Sequence, residues 1–133
     1  MQLSRPVVLA ACAAAAVLGS ACGGGDGGGG GGGETVTVTN GRVTVEARDV
    51  SFDIGRIETP PGTLEVTLVQ KGVQNHTFLV EDADGARVGG KLSVSNATKE
   101  DSGAYELAPG EYAYYCDVPG HRAQGMEGTL VVG

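Results

Sequence analysis

Short segments that alternate apolar and polar residues dominate the chain after residue 33, and they restrict it to an all-β fold. TVTVT (35–39), RVTVE (42–46) and TLEVTLVQ (63–70) repeat with period two, which places successive side chains on opposite faces of a strand. No stretch sustains a helical period over three turns. Turn signals separate the segments, and such spacing predicts a Greek-key β-sandwich or barrel of about seven to eight strands.

Individual elements can be placed on this pattern. Asn40-Gly41 predicts a tight hairpin between the first two strands, and Pro60-Pro61-Gly62 breaks the chain before a strand that carries Leu64, Val66 and Leu68 on one face. HTFLVED (76–82) predicts a strand, as do EYAYYC (111–116) and GTLVV (128–132). The polar residues 95–103 predict a loop or one helical turn.

The first 33 residues have a different character. Residues 1–21 carry one arginine near the start, an uncharged stretch from Pro6 to Leu18 and then small residues before Cys22, which predicts a secretory signal. The small residues before Cys22 resemble the lipobox of bacterial lipoproteins, which predicts lipidation of Cys22 and anchoring at the outer face of the cytoplasmic membrane. The alternative is an ordinary cleaved signal, with a periplasmic or extracellular protein. The glycine-rich residues 22–33 predict a flexible tether.

Residues 34–133 remain as a single domain, long enough for one hydrophobic core. Removing Arg5 and Asp26 from the totals leaves eight basic and fifteen acidic residues, a net charge of −7. An acidic surface disfavours nucleic acid, although simple solubility also explains it.

Cys116 is the cysteine that needs an explanation, because Cys12 lies within the predicted signal and Cys22 is predicted to carry the lipid. In YYCDVPGHRAQGM (114–126), Cys116, His121 and Met126 follow one another at equal spacings of five, and turn-forming residues lie between them. His76 starts a predicted strand upstream. Two imidazoles, a thiolate and a thioether form the ligand set of a type 1 (blue) copper site, and zinc has little use for the thioether. Taken singly, each residue has an ordinary structural interpretation, such as a core methionine or a hydrogen-bonded histidine.

The order His76, Cys116, His121, Met126, followed by EGTLVV (127–132), resembles the cupredoxins, with loop spacing nearest to their auracyanin-like and azurin-like members. The resemblance covers about residues 42–133 and includes NHTF (75–78) and LAPGEYAYYC (107–116). It implies one type 1 copper ion held by the four residues, with Met126 as the weak axial ligand.

The resemblance also implies roles around the ligands. Thr77 would hydrogen-bond towards Asp117, and Asp117 departs from the serine or threonine frequent after the cysteine. His121 would be the exposed ligand, with its edge reaching the surface among Pro119, Gly120, Ala123 and Gly125. Strand alternation points Tyr115 outward, where it offers a second electron route or is an ordinary surface tyrosine.

These features predict an electron carrier and not an enzyme, because the four ligands leave no open position for a substrate. We expect a monomer that exchanges single electrons with redox proteins, such as a cytochrome or a membrane oxidase or reductase. A copper chaperone or storage protein is one alternative. An immunoglobulin-like interaction module is the other, since DSGAY (101–105) resembles the turn before a tyrosine corner.

Overall fold

The computed structural model describes residues 32–133, which form an almost purely β domain. Within this range there are ten strands and one 3₁₀ turn of three residues. The strands are β1 (Glu34–Thr37), β2 (Arg42–Arg48), β3 (Ser51–Phe52), β4 (Ile54–Thr59), β5 (Gly62–Gln70), β6 (His76–Glu81), β7 (Arg87–Val94), β8 (Glu100–Leu107), β9 (Gly110–Tyr115) and β10 (Glu127–Val132), and the 3₁₀ turn is Arg122–Gln124.

Two sheets pack face to face. The larger has the order β1-β4-β10-β9-β6-β7, and the smaller has the order β3-β2-β5-β8. β1 and β10 both pair with β4 in parallel, as β2 does with β5, and the chain crosses between the sheets several times, for example from β1 to β2 and from β4 to β5. This arrangement confirms the predicted Greek-key sandwich, and β1 and β3, of four and two residues, account for the strands beyond the expected number.

The core lies between the inner faces of the sheets. Leu64, Val66 and Leu68 of β5 are buried together, as their alternation predicted. Three aromatic rings join the sheets, since Phe78 lies 5.8 Å from Phe52 and 5.2 Å from Tyr114 between ring centroids. The Tyr114 hydroxyl donates to the Ile54 carbonyl at 2.6 Å, which satisfies its polar end inside the core.

The predicted hairpin at Asn40-Gly41 is wrong. β1 pairs with β4 in the larger sheet, whereas β2 pairs with β3 and β5 in the smaller one. Gly41 has φ 70°, and its carbonyl accepts from the Glu65 amide at 2.8 Å, so the turn carries the chain from one sheet to the other. Burial of Val38 beside this turn favours the crossing over a hairpin.

Residues 95–103 are also corrected by the structure. Their second half belongs to β8, which starts at Glu100 and pairs with β5. The tyrosine-corner interpretation of DSGAY is wrong too. Tyr105 lies in β8, and its hydroxyl donates across to the Gly90 carbonyl at 3.2 Å instead of to a residue a few positions upstream.

The predictions for the signal, Cys22 and most of the tether fall on residues 1–31, outside the described residues. Between residues 32 and 133, no helix is long and apolar enough to cross a membrane.

Candidate metal centre

Neighbouring strands bring the first two candidate ligands together. β6 begins at His76, β9 ends one residue before Cys116, and the strands pair antiparallel with Leu79 opposite Tyr115. Continuing this register places Cys116 near the start of β6. The Thr77 amide accordingly donates to Cys116 Sγ at 3.4 Å.

The loop between β9 and β10 returns the other two candidates to the same point. The His121 amide donates to the Val118 carbonyl at 3.0 Å, which closes the first turn. The Met126 amide then donates to the His121 carbonyl at 3.0 Å, and the Cys116 amide donates to the Met126 carbonyl at 3.1 Å. Gly125 has φ 102°, a left-handed conformation that ends the 3₁₀ turn and that glycine adopts without strain. Met126 is thus tied through its backbone to both Cys116 and His121.

The side chains of His76, Cys116 and His121 converge in a buried cluster. One ligand atom from each lies within 4.8 Å of the other two. Cys116 Sγ is 3.6 Å from His121 Nδ1, and the two imidazole centroids are 5.2 Å apart. Met126 is fully buried, and its backbone bonds to Cys116 and His121 place it beside the cluster. The structure therefore gathers a thiol, two imidazoles and a neighbouring thioether.

The side chains of this cluster are better placed to bind a metal than to satisfy one another's hydrogen bonds. His76 is fully buried, yet neither of its ring nitrogens has a hydrogen-bond partner among the described residues. Burying an imidazole with both nitrogens unpaired costs free energy unless a ligand uses one of them. Burial lowers the pKa of His76, with the nearby His121 lowering it further, and this favours the neutral form that binds metals. Thiolate, imidazole and thioether donors together select copper.

Comparison with known proteins agrees with this geometry. The sequence profile of the copper binding proteins of the plastocyanin/azurin family matches residues 34–133. The chain belongs to this family, the cupredoxins. A search of curated protein sequences finds no significant match.

Solved cupredoxin structures share the fold. Dithionite-reduced auracyanin from Roseiflexus castenholzii superposes with a TM-score of 0.63 at 18% identity, covering 72% of this chain and 99% of that one. Rusticyanin from Thiobacillus ferrooxidans gives a TM-score of 0.60 at 26% identity, covering 79% and 86%. Auracyanin A from Chloroflexus aurantiacus gives 0.57 at 22%, covering 75% and 100%. Family membership confirms the resemblance and the copper cofactor. It argues against the alternative of an immunoglobulin-like interaction module.

In this cupredoxin, Thr77 links the histidine strand to the cysteine loop. Its hydroxyl donates to Asp117 Oδ1 at 2.7 Å and accepts the Asp117 amide at 2.9 Å. The same hydroxyl lies 3.5 Å from Cys116 Sγ. Thr77 thus contacts both the thiol and the carboxylate that follows it.

The Asp117 carboxylate is paired with a cation. Lys91 Nζ of β7 lies 3.1 Å from Asp117 Oδ2. Burial alone would raise the pKa of Asp117, but hydrogen bonds from Thr77 and Lys91, together with the charge of Lys91, hold it below its ordinary value. Lys91 partly neutralises the carboxylate near the cluster, and no sequence pattern indicates this pair.

Tyr115 lies half-buried on the outer face of β9, as alternation predicted. The Arg122 guanidinium sits 4.1 Å from its ring centroid, within the range of a cation–π contact. Glu81 and Glu127 hold that guanidinium at 2.5 and 2.8 Å. The outer face of the Tyr115 ring is therefore covered by the Arg122 guanidinium, which is itself paired with two carboxylates.

His121 is less exposed than the resemblance implied. Only 6% of the residue is accessible, and its Nε2 lies 3.0 Å from Gln74 Oε1 in the loop between β5 and β6. Sequence reasoning missed Gln74 because this loop is far from His121 in the chain and carries no motif.

Proposed function

We propose that this cupredoxin carries single electrons, with one copper ion bound by His76, Cys116, His121 and, axially, Met126. The observation that carries the proposal is the buried cluster of His76, Cys116 and His121, in which both ring nitrogens of His76 are left for a ligand. Family membership supports it, because electron transfer is the general role of cupredoxins.

Bound copper would supply a one-electron couple between Cu(II) and Cu(I). The chain's part is to hold the donor atoms still and to keep water away from them. His76 is held by the pairing of β6, while the backbone bonds among Cys116, His121 and Met126 fix the loop. A rigid set of ligands that suits both oxidation states changes little on electron transfer, which favours a carrier.

Burial of the ligands favours a carrier over a chaperone or storage protein. His76, Cys116 and Met126 are fully buried, and handing a metal to another protein requires accessible ligands. The chain also has two methionines in total, Met1 and Met126, and so lacks a methionine-rich surface. Because side chains provide all four donors, we propose no enzymatic reaction at the site.

We propose two routes by which electrons enter and leave. One runs through His121 to the surface near Gln74. The other runs through Tyr115, which adjoins Cys116 in the chain and lines a surface depression together with Val118, Pro119 and Ala123. The small and apolar residues that line this depression suit brief docking of a redox protein, such as a cytochrome or a membrane oxidase or reductase.

We also propose that the protein works as a monomer outside the cytoplasm, anchored through lipidated Cys22. Mass spectrometry of the mature protein would detect the acyl chains.

Repeated redox cycling distinguishes a carrier from a chaperone. The copper-loaded protein would be reduced with ascorbate and reoxidised with ferricyanide through several cycles, in the presence of a Cu(I) chelator. A carrier recovers its visible absorption after each cycle and keeps its copper. Loss of the reduced copper to the chelator within a few cycles would contradict the proposal and favour a chaperone.

A further inference from the structure

The outer nitrogen of His121 has a dedicated partner. We propose that Gln74 is a positioning residue of the metal centre, which accepts the Nε2–H of His121, fixes the orientation of its ring and covers its outer edge. The inference rests on the proposed function, since it concerns a ligand of that site.

Copper binding and the two contacts of the His121 ring together assign its tautomer. Nδ1 faces Cys116 Sγ, at 3.6 Å, and is therefore the nitrogen that would bind copper, which requires that it carry no proton. Nε2 then carries the proton, and Gln74 Oε1, at 3.0 Å, is its acceptor. A histidine ligand commonly donates its second N–H to an acceptor that fixes its tautomer and raises its basicity. His76 has no such partner among the described residues, so the device belongs to His121.

The loop that carries Gln74 is held in place by contacts on both sides of it. The buried Gln70 donates its side-chain amide to the Gln74 carbonyl. The Asn96 side-chain amide donates to the Val73 carbonyl at 2.9 Å, and the Lys71 amide donates to the Ala47 carbonyl at 2.8 Å. Two of these three anchors come from β5 and β2 of the smaller sheet, and the third comes from the loop between β7 and β8. The bond from Gln70 gives this buried polar side chain a role in holding the loop.

The position of Gln74 also changes the surface that a partner would meet. Gln74 itself is exposed, and Val73 beside it is 71% exposed, the only large hydrophobic side chain so exposed among residues 32–133. A redox partner that docks over His121 would therefore contact the Gln74 amide or displace it. Removing Gln74 should loosen the ring and at the same time open its edge to water.

The first test follows the ring proton itself. Histidine ¹⁵N NMR would be recorded on the metal-free and Cu(I)-loaded forms of the wild type, Gln74→Leu and Gln74→Glu. Gln124→Leu is the matched control, because Gln124 is also an exposed glutamine, in the loop between β9 and β10, and its side chain bonds only the Gly120 carbonyl, at 3.1 Å. We expect an Nε2–H tautomer in the wild type, solvent exchange of that proton roughly tenfold faster in Gln74→Leu, and protection retained in Gln74→Glu, which keeps an acceptor oxygen.

The second test measures Cu(I) affinity by competition with a chelator. Gln74→Leu should bind on the order of tenfold more weakly, whereas Gln74→Glu and Gln124→Leu should stay within about twofold of wild type. An unchanged unfolding midpoint would show that the exposed substitution leaves the fold intact. An Nδ1–H tautomer in the metal-free wild type, or equal effects of Gln74→Leu and Gln124→Leu, would overturn the inference.

These outcomes separate the inference from the proposed function. A protected ring proton that depends on Gln74, in a protein that fails to cycle copper, would refute electron carriage and leave the positioning role intact. Reversible cycling with a ring proton that is indifferent to Gln74 would do the reverse.

Discussion

Replacing Thr77 with valine tests how strongly the cysteine loop depends on the histidine strand. The substitution keeps the β-branched shape of a buried strand residue and removes only the hydroxyl. That hydroxyl is the donor to Asp117 Oδ1, at 2.7 Å, and the acceptor of the Asp117 amide, at 2.9 Å. The loop would keep its own backbone hydrogen bonds but lose both side-chain bonds to β6.

The expected cost follows from these two bonds. A hydrogen bond to a carboxylate contributes about 1.5–3 kcal/mol and a neutral one about 1 kcal/mol. Because the Asp117 side chain is 34% exposed, water replaces part of the loss, and we take the lower end. The free energy of unfolding should therefore fall by about 2.5 kcal/mol, which lowers the melting temperature of a domain of this size by roughly 10–20 °C.

Urea unfolding of the metal-free protein measures this change without interference from copper. Thr77→Ser should recover most of the loss, since serine keeps the hydroxyl. The matched control is Thr67→Val, which removes a surface hydroxyl bonded to Ser102 Oγ at 3.0 Å and should cost less than about 0.5 kcal/mol. If Thr77→Val costs no more than Thr67→Val, the hydroxyl does not hold the loop as described.

Two further predictions concern the core. A methyl group added at Gly128 would overlap the Tyr114 ring, whereas one added at Gly90 meets no atom within 4 Å. Gly128→Ala should therefore lower the free energy of unfolding by about 2–3 kcal/mol, and Gly90→Ala by less than about 1 kcal/mol. Equal effects of the two substitutions in urea unfolding would contradict this packing. Burial, with a smaller contribution from Asp101, raises the pKa of Tyr105 from 10.0 to about 12. The folded state then holds this proton more tightly than the unfolded state, so stability should decline as pH rises from about 10 through 12. Ultraviolet titration of wild type and Tyr105→Phe measures the phenolate directly, and ionisation of Tyr105 near pH 10 would refute the shift.

The sequence predicts more of the metal centre than of the pairing between strands. Cys116, His121 and Met126 lie on one short loop, so their types and spacing already carry the geometry, and only His76 comes from elsewhere. The alternation of apolar and polar residues along a strand, by contrast, shows which side chains share a face, but it does not show which other strand pairs with it. The alternation of β1 and β2 therefore suited a hairpin equally well, although the two strands lie in different sheets.

The missed contacts share a physical cause. β8 was overlooked at its start because Glu100, Ser102 and Ala104 face water, so only Tyr105 and Leu107 mark the strand as buried. Gln74 and Lys91 approach the site from a loop and an edge strand. Their roles depend on how separate segments meet in space, which no local spacing encodes.

The spectrum of the copper-loaded protein and of Cys116→Ser tests the central claim most directly. Cu(II) would be added to the purified protein, and visible absorption and electron paramagnetic resonance would be recorded before and after ascorbate. We predict an intense thiolate-to-copper band that bleaches together with the Cu(II) resonance and that is absent from Cys116→Ser. A colourless copper complex, or a spectrum unchanged by Cys116→Ser, would contradict the account.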